Sequence, residues 1–149
     1  MKTSDKGIDQ IKSFEGFRAM PYQDVVGKWT VGYGHLMVSG DGCVQGSLIT
    51  MGQATELLRK DLQSAENCIN QQDIDLTQNE FDALVSFVYN LGCGAFQHST
   101  LLKLLKTGRK NEAAGEFPAW CMAGGKRNEG ILNRRFAEQD CFLHNIYKG

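Results

Sequence analysis

The feature that most constrains the fold is a long amphipathic segment that begins near residue 50. Thr50 and Gln53 are spaced as a capping box, and the apolar residues that follow recur every 3.6 residues for five turns. These apolar residues are Ala54, Leu57, Leu58, Leu62, Ala65 and Ile69. The pattern predicts a helix about 30 Å long. Such a helix is long enough to join two lobes of a small protein.

Helical patterns cover most of the remaining chain. A second capping box, Thr77 with Glu80, opens a segment that is apolar around most of its circumference, which is typical of a central buried helix. The predicted helices, apart from the long one, are residues 4–15, a central helix that ends at Gly92, STLLKLLKTG, NEAAGEFPAW and a last helix from about Asn133. In NEAAGEFPAW, Pro118 is expected to kink or end the helix.

An extended stretch from about residue 17 to residue 38 interrupts the helical pattern. In KWTVGYG, the bulky residues alternate with Thr30, Gly32 and Gly34, so the glycines share one face of a strand. A bare strand face suits close approach by a ligand, and a bulge or a sharp twist is the alternative interpretation. The chain is therefore expected to have a helix-dominated α+β fold with one small antiparallel sheet near its N-terminus.

The length of 149 residues and the absence of a low-complexity linker or a repeat indicate one domain over residues 1–149. We expect a small β-hairpin lobe at residues 14–50 and a larger helical lobe built from residues 1–13 and 71–149. Residues 51–70 would connect the two lobes. No apolar run approaches the ~20 residues that are needed to span a bilayer.

Five cysteines are spread along the chain without a C-x-x-C pair, and no histidine lies at ligand spacing from them. The sequence therefore predicts no metal site and no cofactor. The odd count rules out complete internal pairing. Most of the cysteines are expected to be buried thiols, and one disulfide formed after release stays open as an alternative.

The net charge of −1 is unevenly distributed. Residues 103–135 carry eight basic residues against three glutamates, a local charge of +5. Such a patch can attract a polyanion, such as an acidic wall polymer, although any single lysine in it is more typical of a solvated helix face. Because no nucleic-acid motif accompanies the patch, we expect no nucleic-acid partner.

Two carboxylates and a hydroxyl group suggest a chemistry. Glu15 lies between Phe14 and Phe17, where partial desolvation favours a protonated acid, whereas Asp24 lies in the polar stretch YQDVVGK, where a carboxylate stays ionised. Hydrolysis of a glycoside needs this division between a general acid and a charged partner. Thr30 supplies a hydroxyl group that could hold a water molecule beside Asp24. An exposed acidic pair without function is the alternative interpretation of the same spacing.

The pattern E-x8-D-x5-T, followed by G-Y-G-H-L, resembles the phage-type lysozymes of the bacteriophage endolysin family. The similarity continues through LTQNEFDALVSFVYNLGCGAF, STLL, EAAGEFPAWCMAGGK and GILNRR, and it covers the chain from residue 4 to about residue 143. The resemblance implies a hairpin lobe and a helical lobe joined by a long helix, with the cleft between them. It also implies a muramidase that cleaves the β-1,4 bond between N-acetylmuramic acid and N-acetylglucosamine in peptidoglycan, with inversion, during lysis of a host cell by a phage or prophage.

The same resemblance implies roles for further residues. Leu36, Asn90 and Ser99 match positions that line the sugar cleft, and structural roles are the alternative for each. His35 is expected to support the fold rather than to catalyse, with Asp61 on the long helix as its ion-pair partner.

Arg134 matches an arginine that approaches the catalytic glutamate, Glu15. The cation would oppose the desolvation that favours a protonated Glu15. The sequence alone does not decide between these two effects.

Two expectations concern where and how the protein acts. The segment MKTSDKGIDQIKSFEG is too polar for a secretory signal, so we expect the protein to stay in the host cytoplasm until a holin-type pore releases it to the periplasm and wall. We also expect a monomer without stable membrane association. The alternative function is a muramidase-like module that binds or localises to peptidoglycan with little catalysis. A chitin-directed hydrolase would share the chemistry.

Overall fold

Seven α-helices and two small antiparallel sheets form the protein in the computed structural model, which describes residues 1–149. The helices are α1 (Asp5–Glu15), α2 (Met51–Asn70), α3 (Gln78–Leu91), α4 (Cys93–Gln97), α5 (Thr100–Lys106), α6 (Lys110–Ala114) and α7 (Glu129–His144), with a 3₁₀ turn at Phe117–Ala119. The strands are β1 (Arg18–Gln23), β2 (Trp29–Gly32), β3 (His35–Leu36), β4 (Met122–Ala123) and β5 (Lys126–Arg127). The helix-dominated α+β prediction is confirmed.

Helix α2 forms where its capping box and apolar period predict it. The Gln53 backbone N–H donates to the Thr50 hydroxyl over 3.0 Å, and the Thr50 N–H donates to Gln53 Oε1 over 2.8 Å. The buried stripe of the helix consists of Ala54, Leu58, Leu62, Ala65, Cys68 and Ile69. Helix α2 packs on α3 and also on β2 and β3. It therefore connects the sheet to the main group of helices.

The hydrophobic core centres on α3, in which every residue from Phe81 to Val88 is buried. The ring of Phe87 makes edge-on contacts with Phe96, Phe117 and Trp120. Trp120 therefore packs against the core. Pro118 lies in the 3₁₀ turn after α6 has ended, so the proline follows the helix rather than kinking it.

Strands β1, β2 and β3 form one antiparallel sheet in that order. The glycine face of β2 is not bare, because a Cβ atom at Gly32 would lie only 3.0 Å from the Cβ atom of Ala54 on α2. The glycine thus allows the helix to approach the strand. Gly34 instead adjoins the carboxylate of Glu15, as described below.

Three features differ from the sequence interpretation. The hairpin of β4 and β5 was not predicted. Helix α7 begins at Glu129, after the N-cap residue Asn128, rather than near Asn133. The apolar side chain of Phe136 on this helix is exposed rather than packed in the core.

The cysteine interpretation was correct in part. Cys68 at the end of α2 forms a disulfide with Cys93 at the start of α4, and Cys43, Cys121 and Cys141 are thiols. Of these three thiols only Cys141 is buried. None of the helices combines the length and the apolar character that crossing a bilayer requires.

Candidate active site

A cavity of about 490 Å³ opens where β3 and the turn before it meet α1, α2 and α3. We call it the candidate cleft. Its lining residues are Glu15, Gly34, His35, Leu36, Val38, Asp61, Tyr89 and Asn90. Five of the nine residues singled out from the sequence therefore lie at one cavity, and they come from α1, β3, α2 and α3.

Glu15 is the last residue of α1, and Gly16 ends the helix with a positive φ of 71°. Burial of Ile8 and Ile11 fixes the helix, so its final side chain is held at the edge of the cleft with 22% of its surface exposed. Arg134 donates a hydrogen bond of 2.9 Å to Glu15 Oε1. The other oxygen, Oε2, would lie 3.0 Å from a Cβ atom at Gly34, which lines the cleft. The two oxygens of Glu15 therefore have different surroundings.

The guanidinium of Arg134 is held from behind by buried groups. It donates to the Ser86 carbonyl oxygen over 3.2 Å and to Glu138 Oε2 over 3.4 Å. Its carbon atom lies 4.8 Å from the centre of the Phe14 ring. Because Ser86 and Glu138 are fully buried, Arg134 has little freedom to move away from Glu15.

Asp24 and Thr30 lie outside the lining of the cleft but are linked to each other through Lys28. Asp24 Oδ1 accepts hydrogen bonds from the backbone N–H groups of Val26 and Lys28, at 3.0 and 2.9 Å. The Thr30 hydroxyl donates to the Lys28 carbonyl oxygen over 3.2 Å. The turn between β1 and β2 therefore fixes both side chains. Asp24 is half-buried, whereas Thr30 is buried.

His35 lies between two carboxylates. Its Nδ1 is 2.7 Å from Asp61 Oδ2, and its Nε2 is 2.8 Å from Asp41 Oδ2. Burial alone would lower the pKa of His35, but the hydrogen bonds and charges of Asp41 and Asp61 outweigh burial and raise it above 6.5. Burial alone would raise the pKa of Asp41, but hydrogen bonds from the Val38 and Cys43 N–H groups, together with His35, outweigh burial and lower this pKa to about 2.

The three residues expected to line a sugar cleft have different positions. Leu36 is 47% exposed and Asn90 is exposed, and both line the candidate cleft. Ser99 is only 2% exposed, and its hydroxyl accepts from the Leu102 N–H and donates to the Phe96 carbonyl oxygen. Both hydrogen-bonding functions of Ser99 are therefore used to cap α5, and we assign it that role.

Four residues at or behind the cleft were not singled out from the sequence. Tyr89 lines the cleft, and burial, followed by the charges of Glu15 and Asp61, raises the pKa of its phenol. Asp41 binds His35, and Glu138 and Arg135 form a buried ion pair of 2.7 Å behind Arg134. Arg135 also donates to Asn90 Oδ1 over 2.9 Å. For Arg135 and Glu138, the run of opposite charges in NRRFAEQD was the available sequence signal of an ion pair.

Comparison with known proteins identifies the family. Residues 12–138 match the family model of phage lysozyme. The chain belongs to the phage lysozyme family. It is 45% identical over 145 residues to the endolysin of Bacillus phage PZA, a match that covers 95% of this chain and 55% of that protein. The chain thus spans about half the length of this phage lysozyme relative.

Solved structures of similar proteins agree with the fold. The endolysin from Escherichia coli O157:H7 phage FAHEc1 has a TM-score of 0.92 and 38% identity, and the match covers 100% of this chain and 98% of that one. The muramidase domain of SpmX from Asticaccaulis excentricus has a TM-score of 0.86 and 37% identity, covering 95% and 97%. The fold that the sequence resemblance implied is confirmed.

Proposed function

We propose that the protein is an endolysin-type muramidase that hydrolyses the β-1,4 bond between N-acetylmuramic acid and N-acetylglucosamine in peptidoglycan. The observation that carries the proposal is the position of Glu15 at the edge of the candidate cleft, with Oε1 bound to Arg134 and Oε2 beside Gly34. Membership of the phage lysozyme family supports it.

Glu15 would act as the general acid. Because Arg134 occupies Oε1, the proton that protonates the glycosidic oxygen would be carried by Oε2, the oxygen beside the cleft-lining Gly34. Bond cleavage then leaves positive charge on the sugar ring, which the second carboxylate must stabilise or relieve.

Asp24 would be the general base and Thr30 would hold the attacking water. Two backbone N–H groups bind Asp24 Oδ1, and this favours the ionised carboxylate and fixes its direction. The shared link to Lys28 couples Asp24 to Thr30. Water attack on the anomeric carbon from the face opposite the leaving group inverts its configuration. Inversion requires the two carboxyl groups to be about 6.5–9.5 Å apart when substrate is bound.

Leu36 and Asn90 would contact the glycan strand from the wall of the cleft, one with apolar surface and one with its side-chain amide. The Asn90 oxygen already accepts from Arg135, so its NH₂ group is the part left to bind sugar oxygens. His35 and Asp61 would support the wall of the cleft without taking part in the reaction.

Product analysis of digested peptidoglycan by mass spectrometry tests the proposed reaction. Hydrolysis yields muropeptides with a reducing muramic acid end. A 1,6-anhydro end would indicate a transglycosylase and would remove the role of Asp24 as a base. Binding to sacculi without any product would favour the alternative of a peptidoglycan-binding module. Cleavage of soluble chitooligosaccharides in preference to peptidoglycan would indicate a chitin-directed enzyme.

We further propose that the protein acts as a monomer and reaches the wall through a holin-type pore. Expression in a Gram-negative host with and without a holin tests the route of release, since lysis should then depend on the holin.

Light scattering of the purified chain tests the monomeric state, and a dimer mass would contradict it.

A further inference from the structure

A cluster of three metal-ligand side chains adjoins the candidate cleft. The ligand atoms of His35, Asp41 and Cys43 all lie within 4.8 Å of one another. They are an imidazole nitrogen, a carboxylate oxygen and a thiol sulfur. Only a few residues separate them in sequence, in the spacing H-x5-D-x-C. This spacing is not one of the common zinc patterns, and the sequence interpretation therefore predicted no metal site.

The backbone already holds the cluster together without a metal. Asp41 Oδ2 accepts from the Val38 N–H over 2.8 Å, and Asp41 Oδ1 accepts from the Cys43 N–H over 2.8 Å. The side chain of Asp41 is only 7% exposed. Cys43 is half-buried as a residue and forms no disulfide. Solvent can therefore reach the cluster from the Cys43 side, which provides a path for an ion.

The fourth group of the arrangement is Asp61. It binds Nδ1 of His35 over 2.7 Å, which leaves Nε2 as the nitrogen that faces Asp41. A carboxylate that accepts the second N–H of a metal-binding histidine fixes the direction of the ring and raises its basicity. The carboxylates of Asp41 and Asp61 and the thiolate of Cys43 together carry a charge of −3, which attracts a divalent cation. The whole arrangement resembles a metal site with its supporting carboxylate already formed.

We propose that His35 Nε2, Asp41 Oδ2 and Cys43 Sγ bind a divalent ion of the zinc class. Thiolate and imidazole ligands select zinc over calcium or magnesium, which prefer oxygen ligands only. Zinc binding breaks the His35–Asp41 hydrogen bond and replaces the proton between these groups, and the thiol proton of Cys43 also passes to solvent. Water completes a tetrahedral site.

The ion would fix the loop after β3 against the cleft. His35 belongs to β3, and Val38 at the beginning of this loop lines the cleft beside it. A ligand that binds only the folded protein raises the melting temperature. At a zinc concentration about 100 times the dissociation constant, we expect an increase of roughly 5–10 °C. The proposal does not depend on the muramidase activity.

Zinc titration of the full-length protein by calorimetry, with the Cys43 thiol reduced, tests the site. We expect one zinc ion per chain in the wild type. The Cys43→Ser variant should bind zinc at least about tenfold more weakly, and Asp61→Asn about 10–100-fold more weakly. The matched control is Cys121→Ser, which removes another half-buried free thiol and should leave zinc affinity unchanged.

Cobalt(II) provides a second readout, because the wild-type spectrum alone reports whether a thiolate binds the metal. The wild type and Cys121→Ser should show a thiolate-to-cobalt charge-transfer absorption, and Cys43→Ser should lack it. A wild-type cobalt spectrum without thiolate absorption would overturn the proposal. So would zinc affinity that is equal in the wild type and Cys43→Ser, or an absence of zinc binding.

Discussion

The two oxygens of Glu15 show how single residues determine the chemistry that we propose. Arg134 donates to Oε1, while Gly34 leaves room for Oε2 because it has no side chain. Gly34 has a φ of +78°, a conformation that L side chains rarely adopt. Gly34 therefore allows the left-handed backbone of the turn and also leaves space for the carboxylate of Glu15.

We predict that Gly34→Ala loses most activity as well as some stability. The new Cβ atom would be 3.0 Å from Glu15 Oε2 and would shift the carboxylate by a few tenths of an ångström, and the left-handed backbone adds a cost of about 1–2 kcal/mol. The control is Gly108→Ala, which has a similar φ of +77° but open space around a Cβ atom. The control should lose comparable stability and keep wild-type turnover. Equal turnover in both variants would contradict the proposed importance of Oε2.

The charge of Asp24 can be removed without removing its contacts. In Asp24→Asn an amide oxygen can still accept from the Val26 and Lys28 N–H groups, so the turn should persist. We expect the melting temperature to change little and turnover on peptidoglycan to fall by about 10²–10⁴. Turnover within twofold of the wild type would remove Asp24 from the mechanism.

The catalytic candidates Glu15, Asp24 and Thr30 could be named from the sequence because the family pattern that they resemble lies within one continuous stretch. The residue that binds Glu15 could not be found from that stretch. Arg134 approaches Glu15 from 119 residues away, and only the family resemblance suggested that contact. The sequence left Ser99 open between a sugar contact and a structural role, because a serine that caps a helix and a serine that binds sugar look the same in sequence; the observed hydrogen bonds favour the cap.

At the scale of secondary-structure elements, α3 and α6 are joined by a charged contact at the start of α3. Glu80 Oε1 accepts from the Thr77 N–H over 2.9 Å and from Lys110 Nζ over 2.8 Å. Burial alone would raise the pKa of Glu80, but these hydrogen bonds and the charge of Lys110 outweigh it and lower the pKa below 4.5. The contact therefore contributes stability when Glu80 is ionised.

The sign of this shift gives a pH dependence. A lowered pKa in the folded state means that the contribution is present above pH 4.5 and is lost as the pH falls through the folded-state pKa. Glu80→Gln keeps an oxygen for the Thr77 N–H but loses the charge. We expect the wild type to be more stable than Glu80→Gln by up to about 1 kcal/mol at neutral pH. Denaturant unfolding should show this difference shrinking below pH 4.5, and a constant difference would contradict the account.

Elements with strong apolar periodicity, such as α2, could be predicted nearly to the residue. Helix α7 could not, because its buried side carries Arg134, Arg135 and Glu138 in place of apolar residues. Their mutual pairing satisfies charges that a sequence pattern assigns to the surface. The two-residue strands β4 and β5 are too short for an alternating pattern to be recognised.

At the scale of the whole molecule, the Cys68–Cys93 disulfide joins α2 to the helices after α3. It closes a loop with a sequence separation of 25, which corresponds to about 3 kcal/mol in the chain-entropy account. We predict that Cys93→Ser lowers the melting temperature by roughly 6–12 °C. Thermal unfolding with and without reductant provides the check. A reductant should lower the melting temperature of the wild type, because it breaks the disulfide, but should leave that of the variant unchanged.

The assignment of Glu15 as the general acid at the cleft is the claim on which the proposed muramidase function depends. Loss of turbidity of permeabilised Gram-negative cells measures it most directly, with Glu15→Gln compared against the wild type and against Glu112→Gln as a control on α6. The account predicts a rate lower by about 10²–10⁴ for Glu15→Gln and an unchanged rate for Glu112→Gln. Equal rates for Glu15→Gln and the wild type would contradict it.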